Sequence, residues 1–273
     1  MRGVRKLIFT DIDGTLLDEN YSWKRAENTL SRLRTKKIPV IFCSAKTRAE
    51  QKVLRKEMNI EDPYIVEDGS AVVVPMECPL YEIINENLNF LKKYQVKIKW
   101  DKEILIKLGV DYKEILNFLE YINKNKKFNL KFYGNMSIDE VAKVTGLSKK
   151  MAKLAMQREF SETVVSWNDE ALRVIGEKFT ALLGGKFVHV YGKRAGKDRS
   201  VEILTGLYTA LYGEKPVTFG IGNSYTDIPM LRVVDFPAIV KNPDGWIDAK
   251  IGLYRAKGIA TDGWIEFVEG FVL

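Results

Sequence analysis

The segment FTDIDGTLLD (9–18) closes an apolar run with two carboxylates two positions apart, Asp11 and Asp13, just before Gly14. Taken alone, this pattern also suits a plain Asp-Gly turn in which Asp13 bonds nearby backbone amides. Three other segments carry complementary groups. IPVIFC (38–43) runs into Ser44-Ala45-Lys46-Thr47, FVHVYG (187–192) is followed by KRAGKDRS with Lys197, and VTFGIG (217–222) runs into Asn223-Ser224-Tyr225-Thr226-Asp227. Singly, Ser44 suits a helix cap, Lys197 a solvated loop lysine and Asn223-Ser224 the start of a turn. Together, at four strand ends in order, they suit phosphoryl transfer.

The residue types assign the roles. Asp11 is placed to attack phosphorus and form an aspartyl-phosphate. Asp13 can protonate the leaving oxygen and then activate the water that hydrolyses the intermediate. Ser44 and the adjacent backbone amides, Ala45 included, can bind phosphoryl oxygens, and Lys197 can offset the charge of phosphate and of Asp11. Mg²⁺ takes oxygen ligands, typically one or two carboxylates with waters and phosphate. Asp11, Asp13, Asn223 and Asp227 are the candidate ligands.

These residues need a scaffold that brings strand ends together. KLIFT (6–10), residues 23–37, IPVIFC, a helix to about Met58 and YIVEDGSAVVVP (64–75) read as β-α-β-α followed by a hairpin around Asp68-Gly69. Trp23, Ala26, Leu30 and Leu33 share one helical face, with Ser22 as its N-cap, and Thr47 with Glu50 forms a capping box. The stretch 81–188 is richer in Lys, Asn and Glu and mixes helices with strands, with a second capping box at Ser137 and Glu140. The α/β rhythm returns with FVHVYG, a helix over about 199–212, VTFGIG and PAIV (237–240), and DGWI recurs at 244–247 and 262–265 as two helix starts. The expected fold is α/β: a doubly wound parallel sheet, Rossmann-like, over 1–80 and 189–273, with an inserted α+β cap over 81–188.

Bulk composition narrows the class. The 273 residues are 46% hydrophobic and 29% charged, an ordinary globular balance with ample core. No apolar run approaches membrane-spanning length, and MRGVRK with LIF behind it is too short for a secretory signal, so no membrane partner is expected. The net charge of +7 comes from scattered lysines interleaved with acids, as in KKYQVKIKWDK, with no base-stacking aromatic array. Small anionic substrates fit better than nucleic acid. Cys43 and Cys78 read as reduced, buried thiols, as expected in the cytoplasm, and a monomer or homodimer is expected.

D-x-D-G-T after a first strand, a strand-end serine, a lone lysine and G-x-G-N-S-x-x-D together resemble the haloacid dehalogenase superfamily across the whole core. The second acid is similar to the phosphatase branch, and the insertion resembles the large α/β caps of sugar-phosphate phosphatases. FCSAKTRAEQ (42–51), VEDGSAVVVP (66–75) and QREFSET (157–163) resemble the mannosyl-3-phosphoglycerate phosphatase family. That resemblance implies Mg²⁺-dependent release of phosphate from a phosphorylated sugar acid, yielding the compatible solute mannosylglycerate. Another sugar or cofactor phosphatase, a phosphosugar mutase and a non-catalytic phosphosugar sensor remain alternatives.

One departure concerns the last motif, which in relatives usually begins Gly-Asp but here reads Gly222-Asn223. A neutral amide binds Mg²⁺ more weakly than a carboxylate, which leaves the direct ligand open between Asn223 and Asp227. In the cap, Arg158 suits a glycerate carboxylate, and Glu159, Ser161 and Glu162 suit sugar hydroxyls. A charged helix end before a strand accounts for QREFSET equally well. Lys46 and Arg48, beside the phosphate pocket, also suit the substrate carboxylate. His189, the one histidine, lies within an apolar strand and reads as a core residue without a catalytic role.

Overall fold

The computed structural model describes residues 4–273. Strand β1 (Lys6–Thr10) is apolar on both sides: Leu7 and Phe9 enter one core layer and Ile8 the other, as a central parallel strand requires. Helix α1 (Glu27–Thr35), preceded by a 3-10 turn over Lys24–Ala26, returns the chain to β2 (Val40–Phe42). Trp23, Ala26, Leu30 and Leu33 are buried as the spacing predicts. Ser22 does not cap this helix, because the 3-10 turn intervenes; its hydroxyl accepts only the Lys24 amide, at 3.4 Å. Helix α2 (Arg48–Met58) does open on the Thr47–Glu50 capping box.

Strands β3 (Tyr64–Val66) and β4 (Ala71–Pro75) form the expected antiparallel hairpin. Helices α3 (Leu80–Glu86) and α4 (Leu88–Lys92) lead to a second hairpin, β5 (Lys97–Trp100) and β6 (Glu103–Lys107). Pairing of β6 with β4 joins these strands into one sheet in the order β3-β4-β6-β5. Leu80, Ile84, Leu91, Ile104 and Ile106 pack in the same layer as Leu7, Phe9 and Ile41, against the core sheet.

The next stretch builds a separate layer: α5 (Tyr112–Lys126), β7 (Lys131–Phe132), α6 (Ile138–Thr145), α7 (Lys149–Ala155), β8 (Ser161–Ser166), α8 (Asp169–Lys178), β9 (Thr180–Gly184) and β10 (Phe187–Tyr191). Its antiparallel sheet runs β7-β8-β10-β9, covered by α5 and α8 through Ile115, Leu119, Ala171 and Ile175 packed on Val164, Val188 and Val190. FVHVYG therefore does not return the chain to the core sheet. Val188 and Val190 are covered while Phe187 and His189 are half-buried, the alternation of a strand with one solvated face, broken only at buried Tyr191 where the strand ends.

Helix α9 (Lys197–Tyr212) leads into β11 (Val217–Gly222), and α10 (Ile228–Leu231), β12 (Phe236–Lys241), β13 (Tyr254–Ile259) and α11 (Thr261–Phe267) complete the chain. The five-stranded core sheet is parallel, in the order β13-β12-β11-β1-β2. From β1 the chain winds one way to β2 and later resumes on the other side at β11, so the switch point lies between β1 and β11. Of the two DGWI segments, 262–265 lies in α11 but 244–247 forms a turn, with Asn242 and Gly245 exchanging backbone bonds and Gly245 at φ +119°. Cys43 and Cys78 are buried and free. Among the described residues no helix is long and apolar enough to cross a membrane.

Candidate active site

The register of β1 on β11 pairs Thr10 with Ile221, so Asp11 leaves the sheet beside Gly222, and its amide donates to the Ile221 carbonyl at 2.9 Å. On the other flank Thr10 pairs with Phe42, which sets Ser44 next to Asp11. The four expected strand-end segments meet through the lysines. Lys197, only 2% exposed, donates from Nζ to Asp11 Oδ1 at 3.1 Å and to Asp227 Oδ1 at 2.6 Å. Lys46, also buried, pairs with Asp13 Oδ2 at 2.9 Å and Glu50 Oε1 at 3.2 Å. Against the cost of burial, the facing acids hold both lysines charged, above the ordinary lysine value.

The structure separates Asn223 from Asp227. Asp227 is fully buried, and its Oδ2 accepts the Asn223 and Ser224 amides, each at 2.9 Å, and the Ser224 hydroxyl at 3.0 Å. With Oδ1 on Lys197, both Asp227 oxygens are occupied by the protein itself. Asn223 donates from Nδ2 to Asn242 Oδ1 at 3.0 Å, and its Oδ1 has no hydrogen-bond partner among the described residues. Gly14, at φ +66°, makes this approach possible: a Cβ there would stand 2.5 Å from Asn223 Nδ2.

A cleft of about 280 Å³ opens over these groups, between the core strand ends and the β7–β10 layer. Asp11, Asp13, Ser44 and Lys46 line it from one side, and Tyr133, Arg158, Thr163 and His189 from the other. The expected substrate readers do not all reach it. Arg158 does: its Nη2 donates to the Ala45 carbonyl at 2.9 Å and to Ser161 Oγ at 2.8 Å, and Nη1 has no partner among the described residues. Ser161 and Glu162 are fully buried within the protein, on Glu67 and on Tyr112, Thr163 and Gly134 respectively. Arg48 holds Glu159 in a bidentate pair at 2.8 and 2.9 Å, away from the cleft lining.

The family model described as haloacid dehalogenase-like hydrolase matches residues 8–247. The chain belongs to the haloacid dehalogenase-like hydrolases. It is 36% identical over 96% of its length to a glucosyl-3-phosphoglycerate/mannosyl-3-phosphoglycerate phosphatase of Persephonella marina, covering 95% of that protein. A Methanococcoides burtonii protein of the same name is 35% identical, again over 96% of this chain and 95% of its own. A mannosyl-3-phosphoglycerate phosphatase of Pyrococcus furiosus is 32% identical over 86% of this chain and 90% of its own. In fold the chain is similar to a sucrose-phosphatase from Synechocystis, with a TM-score of 0.59, 16% identity and 98% of each chain covered.

In this haloacid dehalogenase-like hydrolase the strand ends carry an excess of negative charge. Asp11 is pushed up to about 7, first by burial and then by Asp227, while Lys197 pulls it down. Among the described residues no three His, Cys, Asp or Glu side chains converge as a ready metal set. The donors present are the Asp11 carboxylate and the Asn223 amide oxygen, an all-oxygen set that fits a hard divalent cation completed by water and phosphate.

Two acidic residues escaped the sequence reading. Glu67 and Asp68, in the turn between β3 and β4, stand at φ 50° and 58°, a left-handed conformation costly for residues with a Cβ. The turn aims both carboxylates at the β7–β10 layer. Glu67 accepts the Glu159 and Phe160 amides and the Ser161 hydroxyl at 2.9, 3.0 and 2.7 Å, and Asp68 Oδ2 lies 2.8 Å from His189 Nδ1. Asp-Gly reads as a turn signal, so the chain's local pattern hides these long-range partners.

Proposed function

We propose that this hydrolase is a phosphatase releasing inorganic phosphate from mannosyl-3-phosphoglycerate or its glucosyl counterpart. The single observation that carries the reading is Asp11. It is a carboxylate at the switch point of a parallel sheet, bridged by Lys197 to Asp227 and facing a cleft with Arg158 on the far wall. The choice of substrate is supported by similarity to glycosyl-3-phosphoglycerate phosphatases along nearly the whole chain. The free thiols of Cys43 and Cys78 support a cytoplasmic setting.

Asp11 attacks phosphorus, forming an aspartyl-phosphate as the ester oxygen leaves with a proton from Asp13. Asp13 then takes a proton from water, which displaces phosphate from Asp11. Lys46 orients Asp13, and Lys197 balances the charge on Asp11. The Ser44 hydroxyl and nearby amides bind phosphoryl oxygens. Asp11 and Asn223 would hold Mg²⁺, which when bound neutralises charge on the phosphate and on Asp11, and the free oxygen of Asp13 is kept for proton transfer. Asp227 acts from behind, fixing Lys197 and Asn223. The layer of β7–β10 serves as the cap that reads the rest of the substrate, with Arg158 Nη1 toward its carboxylate.

Phosphate release measured with Mg²⁺ on a panel of esters tests this. Glycosyl-3-phosphoglycerates are expected to give the highest kcat/KM. A hexose phosphate preferred over both of them would contradict the substrate assignment.

A further inference from the structure

His189 is drawn into the cleft by a contact that spans two layers. It sits on β10, while Asp68 belongs to the β3–β4 turn against the core sheet. Their 2.8 Å bond occupies Nδ1 and leaves Nε2 without a protein partner among the described residues, on a ring that lines the cleft. Burial would raise Asp68, but the facing His189, with Lys197 and Arg158 beyond, holds it below the ordinary carboxylate value. The ionised carboxylate therefore accepts the Nδ1 proton and fixes the ring's orientation, as a buried acid does for a functional imidazole.

A neighbour completes the arrangement. Thr163 on β8 lies directly opposite His189 across the antiparallel pair, on the same face, and it too lines the cleft. Its backbone amide bonds Glu162, but its hydroxyl has no partner among the described residues. The cap face thus presents two adjacent, unspent polar groups beside Arg158. The turn at Glu67 and Asp68, both held at positive φ, is what aims one of them.

We propose that His189 and Thr163 form a hydroxyl-reading subsite, with Asp68 as the positioning residue of His189. It would set the preference for phosphate monoesters whose leaving group is polyhydroxylated. A hydroxyl both donates and accepts, so it meets Nε2 in either protonation state and meets Thr163 Oγ1 as well. Arg158 supplies only donors and is left for the carboxylate. The inference rests on the phosphatase reading and deepens it, by naming what the cap selects. Asp68 ties the subsite to the core, because His189 is oriented only when the two layers are in register.

The test compares kcat/KM on mannosyl-3-phosphoglycerate with kcat/KM on p-nitrophenyl phosphate, whose leaving group carries no second hydroxyl. His189→Asn keeps a donor near the Nδ1 position for Asp68 and removes the Nε2 edge. Thr163→Val keeps the shape and removes the hydroxyl. Each variant should lower the ratio about 10-fold, the size of one lost hydrogen bond, through a higher KM for the sugar ester. A ratio unchanged in both variants, or a fall on both substrates together, overturns the subsite. A wild-type protein releasing phosphate from neither ester would instead overturn the phosphatase reading itself.

Discussion

Lys197 Nζ stands 3.1 Å from Asp11 Oδ1, and neither side chain has more than slight contact with solvent. The lysine is the only cation in hydrogen-bonding contact with two buried carboxylates, Asp11 and Asp227, among the described residues. Lys197→Met should therefore remove both charge balance and phosphate attraction. Turnover is expected to fall roughly 10²–10³-fold, as for loss of one preorganised charge. Unfolding free energy should drop on the order of 3 kcal/mol, because a buried acid pair is left uncompensated. Denaturant unfolding and phosphate release on the same sample check both parts.

Asn223 and Asp227 differ in what they have left to offer. Asn223 Oδ1 is free for a cation, whereas both Asp227 oxygens are committed to the protein. Asn223→Ala should raise the Mg²⁺ concentration for half-maximal activity at least about 10-fold, the lower end of effects for lost ligand support. Asp227→Asn should chiefly lower kcat, since it loosens Lys197 and the Asn223 turn. The Mg²⁺ titration of the two variants separates them. An unchanged midpoint in Asn223→Ala would remove Asn223 from the ligand set.

Gly69 tests how the turn carrying Glu67 and Asp68 meets the helix carrying Lys197. It has φ +84°, and a Cβ there would run into the backbone of Gly196 and Lys197. Gly69→Ala should cost about 2 kcal/mol or more, from the left-handed strain and the displaced start of α9. Activity should fall with it, because Lys197 moves. Thermal melts and kcat of the variant give the answer.

The pH dependence of stability is set in part by Asp62, away from the cleft. Burial lifts it from 3.8 to about 6, only partly opposed by the Val40 amide it accepts and by Arg55. The folded protein thus binds this proton more tightly than the unfolded chain does. Its contribution favours folding below pH 4 and is lost as pH rises through about 6. Asp62→Asn keeps the oxygen for Val40 and should flatten the change in Tm between pH 4 and 6. An identical Tm profile in both proteins would contradict the assignment.

The sequence revealed those features that depend on local pattern. Asp11, Ser44 and Asn223 follow apolar runs that read as buried strands, and parallel winding then brings their ends together, while Lys197 reaches them from the first turn of α9. The capping boxes at Thr47 and Ser137 were legible for the same reason. FVHVYG was misplaced because an apolar run does not name its partner strand. Arg48 and Glu159 were expected to reach substrate, yet found each other 111 residues apart. Asp68 and His189 lay hidden because their bond depends on a turn in an unfavourable backbone conformation, aimed across two layers.

The central claim is that Asp11 is the nucleophile of a glycosyl-3-phosphoglycerate phosphatase. Phosphate release from mannosyl-3-phosphoglycerate by wild type and by Asp11→Asn, with Mg²⁺ present, tests it most directly. Wild type should turn the ester over, and the folded variant should lose roughly 10⁴-fold or more of kcat, as when a catalytic nucleophile is removed. A folded Asp11→Asn protein that kept near-normal kcat would contradict it.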